Sequence, residues 1–110
     1  MSKSLEFRGR SQAELLGFTK AAMAVAGYEL DKVQNGEDPS DWKPIKQVGP
    51  GTREVRVKIE DGIFRVFYVA TLETKVYVLL AFQKKTQKTP KSIIDTARQR
   101  YKDLIKELNP

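Results

Sequence analysis

Ile63-Phe64-Arg65-Val66-Phe67-Tyr68-Val69-Ala70 and Val76-Tyr77-Val78-Leu79-Leu80-Ala81-Phe82 decide the fold of this 110-residue chain. Both stretches are rich in β-branched and aromatic residues, which fit a pleated, buried surface better than a helix, so both are expected as central strands. One charged side chain interrupts them. Burying an ionised group without a partner is costly, so Arg65 needs a physical reason to be there. Directly after the second strand comes Gln83-Lys84-Lys85-Thr86-Gln87-Lys88-Thr89-Pro90-Lys91, an ammonium cluster with hydroxyls between and no acidic residue. Arg65 and this turn together suggest a site for phosphate.

Upstream, strict alternation runs from Arg53 to Ile59. Val55, Val57 and Ile59 point one way and Glu54, Arg56 and Lys58 the other, giving a core face and a charged face. Glu60-Asp61-Gly62 is a tight turn, so this strand should pair antiparallel with the Arg65 strand, and Leu72-Glu73-Thr74-Lys75 makes the next turn. Ser4 to Phe7 alternates weakly and reads as a short edge strand. Ser11-Gln12-Ala13-Glu14 matches a capping box and should open a helix. Its core stripe is Leu15, Phe18, Ala22, Val25, Tyr28 or Glu29, and Val33, with a break near Gly17-Phe18-Thr19 and an end at Asn35-Gly36. Between Glu37 and Gly51, Pro39, Pro44 and Pro50 argue against regular structure. Trp42 and Ile45 are too apolar to leave in water, and Trp42 reads as a core anchor and not as a stacking platform. A last helix, with Pro90 in its first turn and Thr89 as cap, carries the stripe Ile93, Ile94, Ala97, Tyr101, Leu104, Ile105 and Leu108. The expected architecture is one α+β domain over residues 1–110, an antiparallel meander sheet packed against N-terminal helices with a C-terminal helix.

Composition narrows the chemistry. The chain carries 20 Lys+Arg against 14 Asp+Glu, a formal charge of +6, which favours an anionic partner such as nucleic acid. There is no cysteine and no histidine. Disulfides, thiolate-bound metals and an imidazole base are therefore excluded, and any catalysis runs on lysine, arginine, tyrosine or carboxylates. The start lacks the apolar core of a signal peptide, and no apolar run approaches the length of a membrane span, so a cytoplasmic protein is expected.

The candidate site is Arg56 and Arg65 on adjacent strands with Lys84 and Lys85 where the third strand ends. It requires that the two arginines share a face, which the register of the Glu60-Asp61-Gly62 turn decides. Guanidinium forks match two phosphate oxygens at once, and clustered ammonium groups lower one another's pKa toward neutrality. Such a site can cleave RNA without histidine, metal or cofactor: the 2′-hydroxyl attacks, a lysine or another basic group takes its proton, and the arginines stabilise the phosphorane. Lys58, Lys84 and Lys88 are read as phosphate-binding, with Tyr68 as a possible supporting hydroxyl. Two other readings stay open. Arg65 pairs with Glu54 or Glu60 as a structural ion pair, and the Lys84 to Lys91 run is a solvated turn.

At Asp41-Trp42-Lys43-Pro44, Gly49-Pro50-Gly51-Thr52-Arg53-Glu54-Val55-Arg56, Phe64-Arg65-Val66-Phe67-Tyr68 and Ala81-Phe82-Gln83-Lys84-Lys85-Thr86-Gln87-Lys88-Thr89-Pro90, the chain resembles the phage-related, HigB-like branch of the RelE/ParE toxin superfamily. The lysine motif is the most specific part, followed by a helix with Ala97-Arg98 and Arg100-Tyr101. The resemblance implies a toxin of a type II toxin-antitoxin pair, acting as an mRNA endonuclease on the ribosome and neutralised by a cognate antitoxin, often of the helix-turn-helix type. Under it, Arg65 matches the arginine that stabilises the transition state, Arg56 a basic position on the preceding strand, and Lys85 the group acting on the leaving oxygen. Family members that use a C-terminal histidine or tyrosine leave the base here unassigned, since the chain ends Glu107-Leu108-Asn109-Pro110. The alternatives are a ParE-like gyrase inhibitor and a non-catalytic RNA-binding module.

Overall fold

The computed structural model describes residues 2–110, and its elements are β1 (Ser4–Phe7), α1 (Ser11–Leu16), α2 (Lys20–Gln34), β2 (Trp42–Pro44), β3 (Thr52–Ile59), β4 (Gly62–Val69), β5 (Lys75–Lys84) and α3 (Lys91–Leu108). The five strands form one sheet in the order β1-β5-β4-β3-β2. The expected meander is β3-β4-β5, antiparallel throughout, with a two-residue turn that puts Ile59 opposite Gly62. β1 adds to the outer edge of β5 in the parallel sense. That sense was not legible from Ser4 to Phe7, because a parallel neighbour needs a long crossover, which α1, α2 and the meander supply.

The sheet is the middle of three layers. On one face Leu15, Phe18, Ala22, Ala26, Leu30 and Val33 pack on Val55, Val57, Phe64, Val66 and Val78. On the other, Ile94, Ala97 and Leu104 of α3 cover Phe67, Val69, Leu79 and Leu80. The α3 stripe is as expected. The α2 stripe differs: Ala22, Ala26, Glu29, Leu30 and Val33 are buried, while Val25 and Tyr28 are exposed. Small alanines let α2 lie close to the sheet, which rotates the larger side chains outward. Glu29 is buried at 4% exposure because it anchors the following loop, accepting from Ser40 N–H at 3.0 Å and Ser40 Oγ at 2.6 Å. The break at Gly17-Phe18-Thr19 is real, and Thr19 caps α2 through Ala22 N–H at 3.2 Å.

Ser11 and Glu14 do not form the expected capping box. Ser11 Oγ donates to Val78 O at 3.0 Å, and Glu14 Oε1 accepts from Ala81 N–H at 3.2 Å. Their partners lie on β5 because β1 pairs with β5 only as far as Val78, and β5 is also bulged where Phe67 and Tyr68 change register. The backbone groups freed there require partners. Arg100 from α3 completes the set, donating to Leu79 O at 2.9 Å and gripping both oxygens of Glu14 at 2.9 Å. Thr89 does not cap α3 either; Pro90 occupies that position with no side-chain bond.

The 37–51 segment contains a strand that the prolines masked. Arg56 N–H bonds Asp41 O and Ile45 N–H bonds Thr52 O, so by alternation Pro44 turns its nitrogen away from β3, where no donor is needed. Ile45 is buried as expected, whereas Trp42 is only half-buried and belongs to neither core cluster.

Replacing Arg100 leaves Glu14 and Leu79 O without their cation at partly buried positions. Arg100→Ala is expected to lower the unfolding free energy by about 2 kcal/mol. Arg98→Ala, at an exposed hydrogen bond to Gln47 O, should cost less than about 1 kcal/mol. Urea denaturation of the two variants checks the difference.

Candidate functional site

The alternation of β3 and β4 brings Arg56 directly opposite Arg65, so the two share a face. Since Arg56 directs its N–H to Asp41 O, just ahead of β2, its pairing with Arg65 is of the non-hydrogen-bonded, narrow kind, in which side chains lie closest. Two like charges so placed are destabilising unless something lies between them. Glu54 does. It sits two residues before Arg56 on the same face and is 1% exposed. Its Oε1 accepts from Arg65 Nη1 at 2.6 Å and Arg56 Nε at 3.3 Å, with Lys43 Nζ at 3.9 Å. Asp41 Oδ1 lies 3.9 Å from the far side of Arg56.

This face is covered at one end only. α3 lies over Phe67 and Val69, whereas Arg65 and Ile63, nearer the β3-β4 turn, lie beyond that covered cluster. There, a hollow of about 310 Å³ is lined by Ile63, Arg65, Lys84, Lys85, Thr86 and Gln87. Arg65 is 8% exposed, and its Nε is buried without a partner among the described residues, so the guanidinium keeps donor capacity that Glu54 does not use. Lys84 is half-buried beside it. Burial, and next the charge of Arg65, hold the Lys84 ammonium below its ordinary pKa, with Glu54 opposing. Arg65 is thus ion-paired with Glu54, one of the partners expected for it, and it also walls a basic hollow.

The other expected residues distribute as follows. Lys85 lines the same hollow as Arg65. Arg56 does not line it and is joined to it through Glu54. Lys58 is exposed on the same face, across Ile63 from Lys84 in the strand register. Lys88 is in a separate hollow with Gln47, Ile94 and Arg98 at the start of α3. Tyr68 as a supporting hydroxyl is overturned. Three residues from Arg65 on one strand, it faces the opposite side of the sheet, among the α1 and α2 contacts, where burial raises its pKa. Glu54 is one of the two partners expected for Arg65, and the turn register selects it over Glu60. Lys43 is the group that the sequence did not reveal, because its approach to Glu54 needs β2.

The family described as phage derived protein Gp49-like matches residues 13–102. No curated protein matches the sequence. Among solved structures, the chain is similar to a double arginine-to-alanine mutant of the E. coli toxin RelE in the free state, with a TM-score of 0.66 over 91% of this chain and 98% of that one. Identity to it is 16%, so this likeness carries the fold. The chain belongs to the phage-derived Gp49-like family and has the RelE fold, in line with the resemblance to the RelE/ParE superfamily drawn from its own motifs.

Proposed function

We propose that the protein is the toxin of a toxin-antitoxin pair and an endoribonuclease that cuts mRNA on the ribosome. The observation that carries this is the convergence of Arg65, Lys84 and Lys85 on one open hollow, with Arg65 held in place from behind by Glu54. The family and the fold support it. In the hollow, the RNA 2′-oxygen bonds to phosphorus and the P–O5′ bond breaks, leaving a 2′,3′-cyclic phosphate and a 5′-hydroxyl. Lys84, whose pKa is lowered, takes the 2′-hydroxyl proton, and Lys85 gives a proton to the departing 5′-oxygen. Arg65 neutralises the charge that develops on the equatorial oxygens. Glu54 and Arg56 touch neither proton. They fix the aim of Arg65, and the antitoxin silences the whole.

Expression in bacteria with mapping of mRNA 5′ ends tests the reading. Wild type should arrest growth and produce new ends, and Arg65→Ala should reduce cutting about 100- to 1000-fold. Growth arrest with intact messages and cleaved gyrase complexes would overturn it in favour of a gyrase target.

Glu54→Gln keeps the shape and removes the only carboxylate among the described residues that contacts Arg65. It should bind a 2′-O-methyl RNA more tightly than wild type, because the site gains a unit of positive charge, yet cut more slowly. Steady-state kinetics and anisotropy together separate this from a folding defect, which would weaken both.

A lowered pKa means more neutral amine at a given pH. If Lys84 is the base, the logarithm of the cleavage rate should rise by about one per pH unit up to its pKa and then level. The pH profile of Lys84→Arg should lack that rising limb.

A further inference from the structure

Trp42, expected in the core, instead stands half-buried on the edge strand, and the guanidinium of Arg53 lies 3.8 Å from its ring centroid. Arg53 is fixed there by Asp38, whose Oδ1 accepts from Nη1 at 2.9 Å. Beside this pair is an apolar hollow of about 530 Å³, walled by Trp42, Pro44, Lys46, Pro50, Gly51 and Arg53. Its far wall is rigid. Tyr101 of α3 donates to Pro50 O at 2.8 Å and packs so tightly under Gly49 that a Cβ there would come within 2.4 Å of its ring. Gly51 holds φ +81, a conformation that favours glycine.

The hollow lies around the β2 edge from the basic site: by register Trp42 and Arg53 share the sheet face of Val55 and Tyr68, while Lys43 shares that of Glu54. A second hollow, of about 320 Å³ and lined by Lys43, Pro44, Ile45, Lys46 and Gln47, shares Pro44 and Lys46 with the first. Lys43 in turn reaches the Glu54 oxygen that Arg65 occupies. Cations therefore run from Lys84 and Arg65 past Lys43 and Lys46 to Arg53, around the edge that β2 forms. A basic track ending on a flat aromatic surface is what single-stranded nucleic acid requires, phosphates on the cations and a base on the ring.

Resting on the nuclease reading above, we infer that the Trp42–Arg53 pair is a stacking subsite for an unpaired nucleobase of the RNA strand whose scissile phosphate lies at Arg65. The base adds a third layer to the stack inside the apolar hollow, and Lys43 and Lys46 hold the intervening phosphates. A purely structural latch of Trp42, Arg53 and Asp38 would need neither the open hollow nor the basic connection to it.

Trp42 is the only tryptophan in the chain, so its emission reports the contact directly. Six-nucleotide 2′-O-methyl RNAs, which cannot be cut, are titrated at low salt with anisotropy and Trp42 fluorescence read together. Binding should quench Trp42. An abasic residue at one position should remove the quench and weaken binding about 10-fold, and abasic residues elsewhere should not. Trp42→Ala should weaken binding by a similar factor and Trp42→Phe should restore it, whereas a latch defect would show as a lowered melting temperature. An oligonucleotide that binds with Trp42 emission unchanged and with every abasic version equal overturns the subsite alone, leaving the hollow to an apolar peptide. Absence of any oligonucleotide binding overturns the subsite, while the mapping of mRNA 5′ ends decides the nuclease reading separately.

Discussion

Two guanidinium groups opposite one another on neighbouring strands repel, and the arrangement persists here because one buried carboxylate stands between them. Glu54 accepts from Arg65 and Arg56 through the same oxygen, with Lys43 close by. The balance is uneven by design of the register. One negative charge holds several positive ones, so the cluster is stable enough to fold and still carries an excess of cation toward the hollow at Lys84 and Lys85. An anion entering there meets Arg65 already oriented by Glu54, which spares it the cost of ordering that guanidinium.

The surrounding architecture leaves that hollow open while helices cover the sheet on both sides of it. α3 covers the half of the sheet face that holds Phe67, Val69 and Leu80, and α1 with α2 cover the opposite face. Where β5 outruns its parallel neighbour, Ser11, Glu14 and Arg100 serve its backbone in place of a strand. A bare stretch of edge there would invite pairing with other chains. These side chains also tie the first and last helices to the same strand, so the layers on both faces are fixed relative to the lysine turn that follows β5.

The parts of this fold that were legible in the sequence are those governed by short periodicities. Val55, Val57 and Ile59 against Glu54, Arg56 and Lys58 gave the faces of β3, the stripe from Ile93 to Leu108 gave α3, and the intrusion of Arg65 into an apolar run marked the candidate site. Contacts between distant segments were not legible. Ser11 and Glu14 have the spacing of a capping box, and only β5, 67 residues away, shows why they are used otherwise. Trp42 was assigned to the core on hydrophobicity, but three-residue β2 places it at the rim, where Arg53 covers it. Tyr68 is different: its odd separation from Arg65 already implied the opposite face, and alternation alone would have removed it from the site. Glu54 lies between these cases: its face and its possible pairing with Arg65 are visible in the sequence, and only the turn register selects it over Glu60.

The parallel placement of β1 has a consequence for the order in which the molecule can be built. Ser4 to Phe7 are made well before the strand they border, Lys75 to Val78. They therefore wait unpaired until β5 is made, and the helix that bears Arg100 comes later still. The cationic hollow, which needs Lys84 and Lys85, is thereby assembled only once the turn after β5 has been made, so products truncated before that turn lack it.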